Sequence, residues 1–202
     1  MTAPGLSRTE LLSRGATGGL VLAAAGTAAG LTARAAKADG MPDADLAFLR
    51  LLASVELLAA DFYGKALEAQ PFGARGTKIL RSALFNDGEH YASIAGYLTG
   101  AGQVPLTADE IDFSYPKDAF ASAGSIARLA VELETVFLGA YLGAVNGLQT
   151  ASLASPLARI AANQAQHLTA FNELLGHASF DLSFPASLTI DAASNELSAY
   201  TS

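Results

Sequence analysis

The chain has 202 residues, no cysteine and a formal charge of −7. The missing thiols exclude disulfides, thiolate catalysis and cysteine-ligated zinc or iron–sulfur sites, and the acidic balance argues against a nucleic-acid partner. Ala, Gly and Leu dominate and aromatic residues are few, a composition that favours helices, and the length suits one domain of ordinary size.

The first forty residues differ from the rest. Arg8 and Arg14 flank a polar start, and residues 15–33 then carry no charge. Ala33-Arg34-Ala35 and Ala36-Lys37-Ala38 both fit an A-x-A cleavage site. This three-part plan predicts a secretory signal over residues 1–38. A retained anchor and a buried helix are the competing readings, and the Gly/Ala-rich run makes a weak permanent anchor. Ser7-Arg8-Thr9-Glu10-Leu11-Leu12 resembles a twin-arginine export signal, with Thr9 where the second arginine would stand. Export to the periplasm, cell envelope or exterior is therefore expected, with no stable membrane insertion after cleavage. Without residues 1–38 the chain keeps eight basic and eighteen acidic residues, a net of −10.

From Asp39 onward the pattern is helical. Helix one is expected over residues 44–69, capped by Asp43 or Asp45 behind Pro42. Leu49, Leu52, Glu56, Ala59, Ala60, Tyr63 and Leu67 follow a 3.6-residue period, so Glu56 lies inside the apolar stripe. The breaker-rich residues 70–76 make a short loop, so helix two should return antiparallel.

Helix two, residues 77–98, carries Asp87 and His90 three apart, hence on one face. Leu80, Leu84, Ile94 and Leu98 lie on or beside that face. A carboxylate and an imidazole in a buried stripe need a partner or a function. Gly88 costs this helix about 1 kcal/mol relative to Ala, which points to close packing or a local distortion. Gly100, Gly102 and Pro105 mark the stop.

Residues 101–123 form a long polar connection. More than twenty extended residues span over ~60 Å, against ~33 Å for helix two, so the connection can cross the bundle and let helix three run parallel to helix two. Helix three, residues 125–148, has the stripe Ala130, Glu134, Phe137, Tyr141 and Leu148. A loop through Ser155 and Pro156 leads to helix four, residues 156–175, with Pro156 in its first turn. That helix presents Leu157, Ile160, Gln164, His167, Phe171 and Leu174, and Gly176 ends it. Residues 178–202 form a tail expected to pack along the bundle over an apolar seam, with Asp191 capping a short last helix through Tyr200. The reading is all-α: a bundle over residues 39–177 with one long crossover between helices two and three, plus this C-terminal extension.

The two halves repeat. Glu56 precedes Tyr63 by seven residues, as Glu134 precedes Tyr141. Asp87 and His90 are three apart, as are Gln164 and His167. The offset between halves is 78 residues for the Glu/Tyr pairs and 77 for the histidines. Residues 112–116 are echoed more weakly by residues 181–185. Two hairpins related by a pseudo-twofold axis would bring Glu56 towards Glu134 and the two three-apart pairs towards each other. Two metals bridged by carboxylates, each held by one imidazole, require that arrangement. Manganese or iron suits such mixed oxygen and nitrogen ligands.

Over residues 43–177 the chain resembles the exported, signal-bearing branch of the ferritin-like domain family. The residues that carry the resemblance are Glu56, Asp87-x-x-His90, Glu134 and Gln164-x-x-His167. Metal-binding members show Glu, Glu-x-x-His, Glu, Glu-x-x-His in this order. Asp87 is one methylene shorter than that pattern. Gln164 is neutral, with one acceptor oxygen, so three carboxylates and two imidazoles remain.

The resemblance implies two iron or manganese ions and oxygen-dependent iron oxidation or related redox chemistry. Glu56, Asp87, His90, Glu134 and His167 would be inner ligands, and Gln164 a weak ligand or a hydrogen-bond donor to one. Tyr63 and Tyr141 would either donate to the ligands or serve as core rings. The competing reading is a metal-free bundle with a structural or binding role, in which Glu56 and Glu134 pair directly with His90 and His167. Gln164 favours it by lowering repulsion among the carboxylates. A nanocage iron store is a third reading, disfavoured by the signal and the tail. Assembly into a homo-oligomer is compatible with the sequence, and the substrate is not specified by it. Glu89, Gln166, His177, Asp61, Asn163 and Asn172 are read as surface residues, and Glu132 is left open, since Glu134 fits the central stripe better.

Overall fold

The computed structural model describes residues 40–177 and 185–201; the predicted signal lies outside them. Four long helices, α1 (Asp43–Ala69), α2 (Ala74–Gly100), α3 (Ala123–Gly147) and α4 (Ala151–Leu174), are followed by a short α5 (Ile190–Leu197). α1 packs closely on α2 and α3 on α4, while α1 also meets α3 and α2 meets α4.

Helix directions follow from two side-chain bonds. Tyr63 on α1 donates to Glu134 on α3, and Tyr141 on α3 donates to Glu56 on α1. Positions that rise along α1 therefore fall along α3, so these helices are antiparallel. The short loop after α1 makes α2 antiparallel to it, so α2 and α3 run parallel. Residues 101–122 must then travel the length of the bundle, which is the expected one-crossover topology. The crossover is anchored on the way: Tyr91 donates to the Leu106 carbonyl at 2.5 Å, Arg50 to Gln103 at 2.6 Å and Tyr115 to Asp61 at 2.7 Å. Asp61, read as a surface residue, is half-buried by this contact.

The middle of α1 is buried on every side from Leu51 to Ala59. A helix buried all round needs neighbours on each face, and α2, α3 and α5 supply them. α3 has the length and hydropathy of a bilayer span, but most of that stretch is buried, with Glu134 inside it.

The tail residues 185–201 lie against α3 and α1. The Leu188 N–H donates to the Gly139 carbonyl at 2.8 Å. A Cβ at Gly143 would sit 1.8 Å from the Leu188 carbonyl oxygen. The two glycines, one turn apart on α3, thus form the groove in which the tail lies. Further on, Ser114 donates to the Tyr200 carbonyl at 2.9 Å and Phe113 bridges to Thr201, so the chain end also pins the crossover. Residues 181–184 of the weaker sequence echo lie outside the described residues.

Several local expectations are corrected. α4 starts at Ala151, not Pro156. Leu153 is buried beside Leu157, and that burial holds an extra turn together although Pro156 lacks an N–H to donate. α5 is capped by Thr189, whose hydroxyl accepts from the Ala192 N–H at 3.2 Å, and Asp191 sits in the first turn. Gly88 is exposed and a Cβ there would meet nothing within 4 Å, so close packing does not account for it.

Neither Asp43 nor Asp45 caps α1: Pro42 holds the N-cap position with no side-chain cap. Asp45 is fully buried and instead accepts the Gln149 and Thr150 N–H groups at 2.9 and 2.8 Å. It fixes the loop that enters α4. Asp45→Ala leaves two amides without their charged acceptor, with an expected loss of about 2–3 kcal/mol. Urea unfolding followed by circular dichroism checks this, since the chain has no tryptophan; an unchanged midpoint would contradict it.

Candidate metal centre

Each long helix contributes inward polar groups at mid-length: Glu56 from α1, Asp87 and His90 from α2, Glu134 from α3, Gln164 and His167 from α4. The apolar stripe that carries them faces the bundle axis, so the periodicity that buries the leucines buries these groups too. Glu56, Asp87, Glu134 and Gln164 are fully buried, and His167 is nearly so. All six predicted site residues converge.

They form two overlapping triads. In Glu56–Asp87–His90 and in Asp87–Glu134–His167, one ligand atom from each residue lies within 4.8 Å of the others. Asp87 belongs to both. His90 Nδ1 is 3.3 Å from Asp87 Oδ1 and 3.6 Å from Glu56 Oε2. His167 Nδ1 is 3.3 Å from Glu134 Oε1 and 3.7 Å from Asp87 Oδ1. The pseudo-twofold relation read from the sequence is visible in the tyrosines, which cross: each hydroxyl donates to the glutamate of the opposite hairpin. Gln164 breaks the symmetry. Its Nε2 donates to Glu56 Oε1 at 3.3 Å, while its Oε1 is left free.

Many atoms here lack a hydrogen-bond partner. Among the described residues, Glu56 Oε2, both Asp87 carboxylate oxygens, Glu134 Oε2, Gln164 Oε1 and the Nδ1 atoms of His90 and His167 are buried and make no hydrogen bond, the imidazoles meeting carboxylates only at 3.3–3.7 Å. Buried polar groups are normally satisfied, because each unpaired one costs about 1–3 kcal/mol. Anionic oxygens and imidazole nitrogens turned to a common centre are the donor set that divalent manganese or iron takes, so these residues fit two such ions.

Electrostatics agree. Burial, then the Asp87 charge, pushes the Glu56 carboxyl from its ordinary value of 4.5 up to about 8, against the pull of His90 and Tyr141. Glu134 is raised too, chiefly by burial. Burial pushes His90 down, but the nearby Asp87 and Glu56 carboxylates outweigh it and lift the ring from 6.5 to about 9. His167 is likewise raised: burial lowers it, and Glu134 more than compensates. Tyr63 and Tyr141 are pushed far up by burial and the nearby carboxylates, so both phenols stay protonated donors. Without metal, the fold thus keeps protons that the unfolded chain has lost, between pH 4.5 and 8 for Glu56 and between 6.5 and 9 for His90. Groups raised on folding stabilise at low pH and lose that contribution as pH rises. Thermal unfolding in chelator should therefore show a midpoint that falls from pH 5 to 9; a rising midpoint would contradict this.

One neighbour escaped the sequence reading. Asn86 Nδ2 lies 3.1 Å from His167 Nε2, across from α2 to α4. Its repeat partner at the offset of 77 is Asn163, read as a surface residue but half-buried, with Oδ1 sealed from solvent and unpaired. That offset was the signal that could have found both. Glu89, Gln166 and His177 are exposed, as read, and Glu132, left open by the sequence, is exposed too. Asn172 is half-buried and donates to the Leu168 carbonyl at 3.0 Å.

A family model described as Ferritin-like domain matches residues 44–177. No curated protein sequence matches the chain.

Proposed function

From the premise that the chain belongs to the ferritin-like domain family, we propose that it is an exported di-metal carboxylate protein that binds two iron or manganese ions and acts in oxygen-dependent redox chemistry such as iron oxidation. The observation that carries the reading is the set of unpaired carboxylate and imidazole atoms around Asp87, in two triads that share it. Glu56 and His90 would hold one ion, Glu134 and His167 the other, and Asp87 both. When bound, the ions supply electrons to dioxygen. The chain supplies the rest: it fixes the donors, and its leucines and aromatic rings keep bulk water out. Tyr63 and Tyr141 hold one oxygen of each glutamate by donation, which leaves the second oxygen of each for a cation. The uncharged segment and A-x-A sites of residues 1–38 support export.

The metal-free reading has on its side the Gln164 bond to Glu56 and the pairing of His90 with Glu56 and Asp87 and of His167 with Glu134. A network meant to be closed would pair its own atoms at good hydrogen-bond geometry, whereas these imidazole–carboxylate contacts are 3.3–3.7 Å long and neither Asp87 oxygen makes a hydrogen bond among the described residues.

The test is anaerobic loading with Fe(II), removal of excess metal, and admission of air with dioxygen uptake followed. About two irons per chain, oxidised faster than iron in buffer alone, is the expected result. Because the ions must displace the protons held by Glu56 and His90, loading should tighten as pH rises from 5 to 8. No retention of iron or manganese overturns the reading.

A further inference from the structure

A histidine that offers one ring nitrogen inward must have its other nitrogen held, or the ring is free to turn. His90 and His167 both turn Nδ1 to the centre. The group that meets the outward Nε2 of His167 is Asn86, at 3.1 Å from the opposite hairpin. Asn86 immediately precedes Asp87, as Asn163 immediately precedes Gln164. We propose that Asn86 and Asn163 are a crossed pair of positioning residues for the outward Nε2 of the histidine on the opposing helix: Asn86 meets His167 in this structure, and Asn163, whose Oδ1 has no partner among the described residues, would hold His90 by the same relation once turned towards it, so that Nδ1 stays available to a cation. The proposal rests on the di-metal reading above.

Three observations support it. Asn86 spans α2 to α4, so the pseudo-twofold relation sends Asn163 from α4 towards His90 on α2, and those helices are in contact. Asn163 is unspent where it matters: its Nδ2 is tied to Gln166 one turn on at 3.3 Å, while its buried Oδ1 has no partner. Finally, the residue type suits the task. An amide can offer its NH2 to a bare Nε2 or, turned over, its carbonyl to an Nε2–H. A ring bound through Nδ1 carries its proton on Nε2 and takes the second orientation. An aspartate could only accept, and would add charge to a centre already crowded with carboxylates.

The experiment uses the protein labelled with nitrogen-15 in histidine, as wild type and as Asn86→Leu, Asn163→Leu and Asn86→Asp. In the chelator-treated protein, Asn86→Leu should move the ring-nitrogen resonances of His167, and Asn163→Leu those of His90. In Mn(II) titration by calorimetry, each leucine variant should lose about 10–100-fold in affinity, with helix content unchanged. Asn86→Asp, which keeps an acceptor, should bind at least as tightly as wild type. Leucine variants that bind Mn(II) as wild type does would overturn the proposal. If wild type binds no Mn(II), the di-metal reading fails by itself. The metal-free resonances then decide the pair: unmoved histidines overturn it, and selectively moved ones uphold the holding contacts.

Discussion

Asp87→Asn is expected to abolish cation loading in both halves of the centre at once. Asp87 is the residue common to the two triads, and both of its oxygens are buried and make no hydrogen bond among the described residues. The amide keeps the shape but removes the charge and one acceptor. The effect on stability should be large. An ion held at a thousand times its dissociation constant adds about 4 kcal/mol, which for a chain of this size is about 8–16 °C in unfolding midpoint. Wild type should show a gain of that order with Mn(II), and Asp87→Asn almost none. Glu89→Gln, two residues away but exposed, is the control and should keep the full gain. An Asp87→Asn protein that still gains stability from Mn(II) would contradict the shared role.

Gln164→Glu should have opposite effects with and without metal. Gln164 is fully buried and donates to Glu56 Oε1 at 3.3 Å. A carboxylate cannot donate, and it adds a fourth acid beside Glu56, Asp87 and Glu134. In chelator the variant should lose about 1–3 kcal/mol through the broken bond and the added buried charge. Loaded, four carboxylates balance the charge of two divalent ions, and affinity should rise about tenfold, the equivalent of ~1.4 kcal/mol. Melts of variant and wild type, each with chelator and with Mn(II), read both signs. A variant less stable in both conditions would show that Gln164 serves packing alone.

The six central residues were legible because local spacing decides which face of a helix a side chain occupies, and the face decides burial. Glu56, Asp87-x-x-His90, Glu134 and Gln164-x-x-His167 stand in apolar stripes, and the internal repeat states that the stripes converge. The crossover was legible from its length alone. What could not be read is which distant atom each polar group meets. Asp45 looks like a helix cap because caps are local, yet its partners are more than a hundred residues away. Asn86 lies at the edge of its stripe, where periodicity cannot separate a solvated amide from one that reaches across to His167. The start of α4 was hidden by Pro156, because the burial of Leu153 outweighs one missing backbone donor.

The tail shows the same limit. Gly139 and Gly143 are ordinary in an Ala/Gly-rich helix until Leu188 is seen lying over them. The middle of α1, buried on every side, packs against α5 of that tail as one of its neighbours. Glu56, Asp87, Glu134 and Gln164 are fully enclosed within the bundle.

On the proposed function two ions would sit within the bundle, one held by His90 and the other by His167, with Asp87 serving both. Crystals of the protein grown with Mn(II), measured at the manganese absorption edge, test it most directly. The prediction is two anomalous peaks per chain, one beside His90 and Glu56 and one beside His167 and Glu134. Full-strength peaks on surface carboxylates, with no density among these six residues, would contradict it.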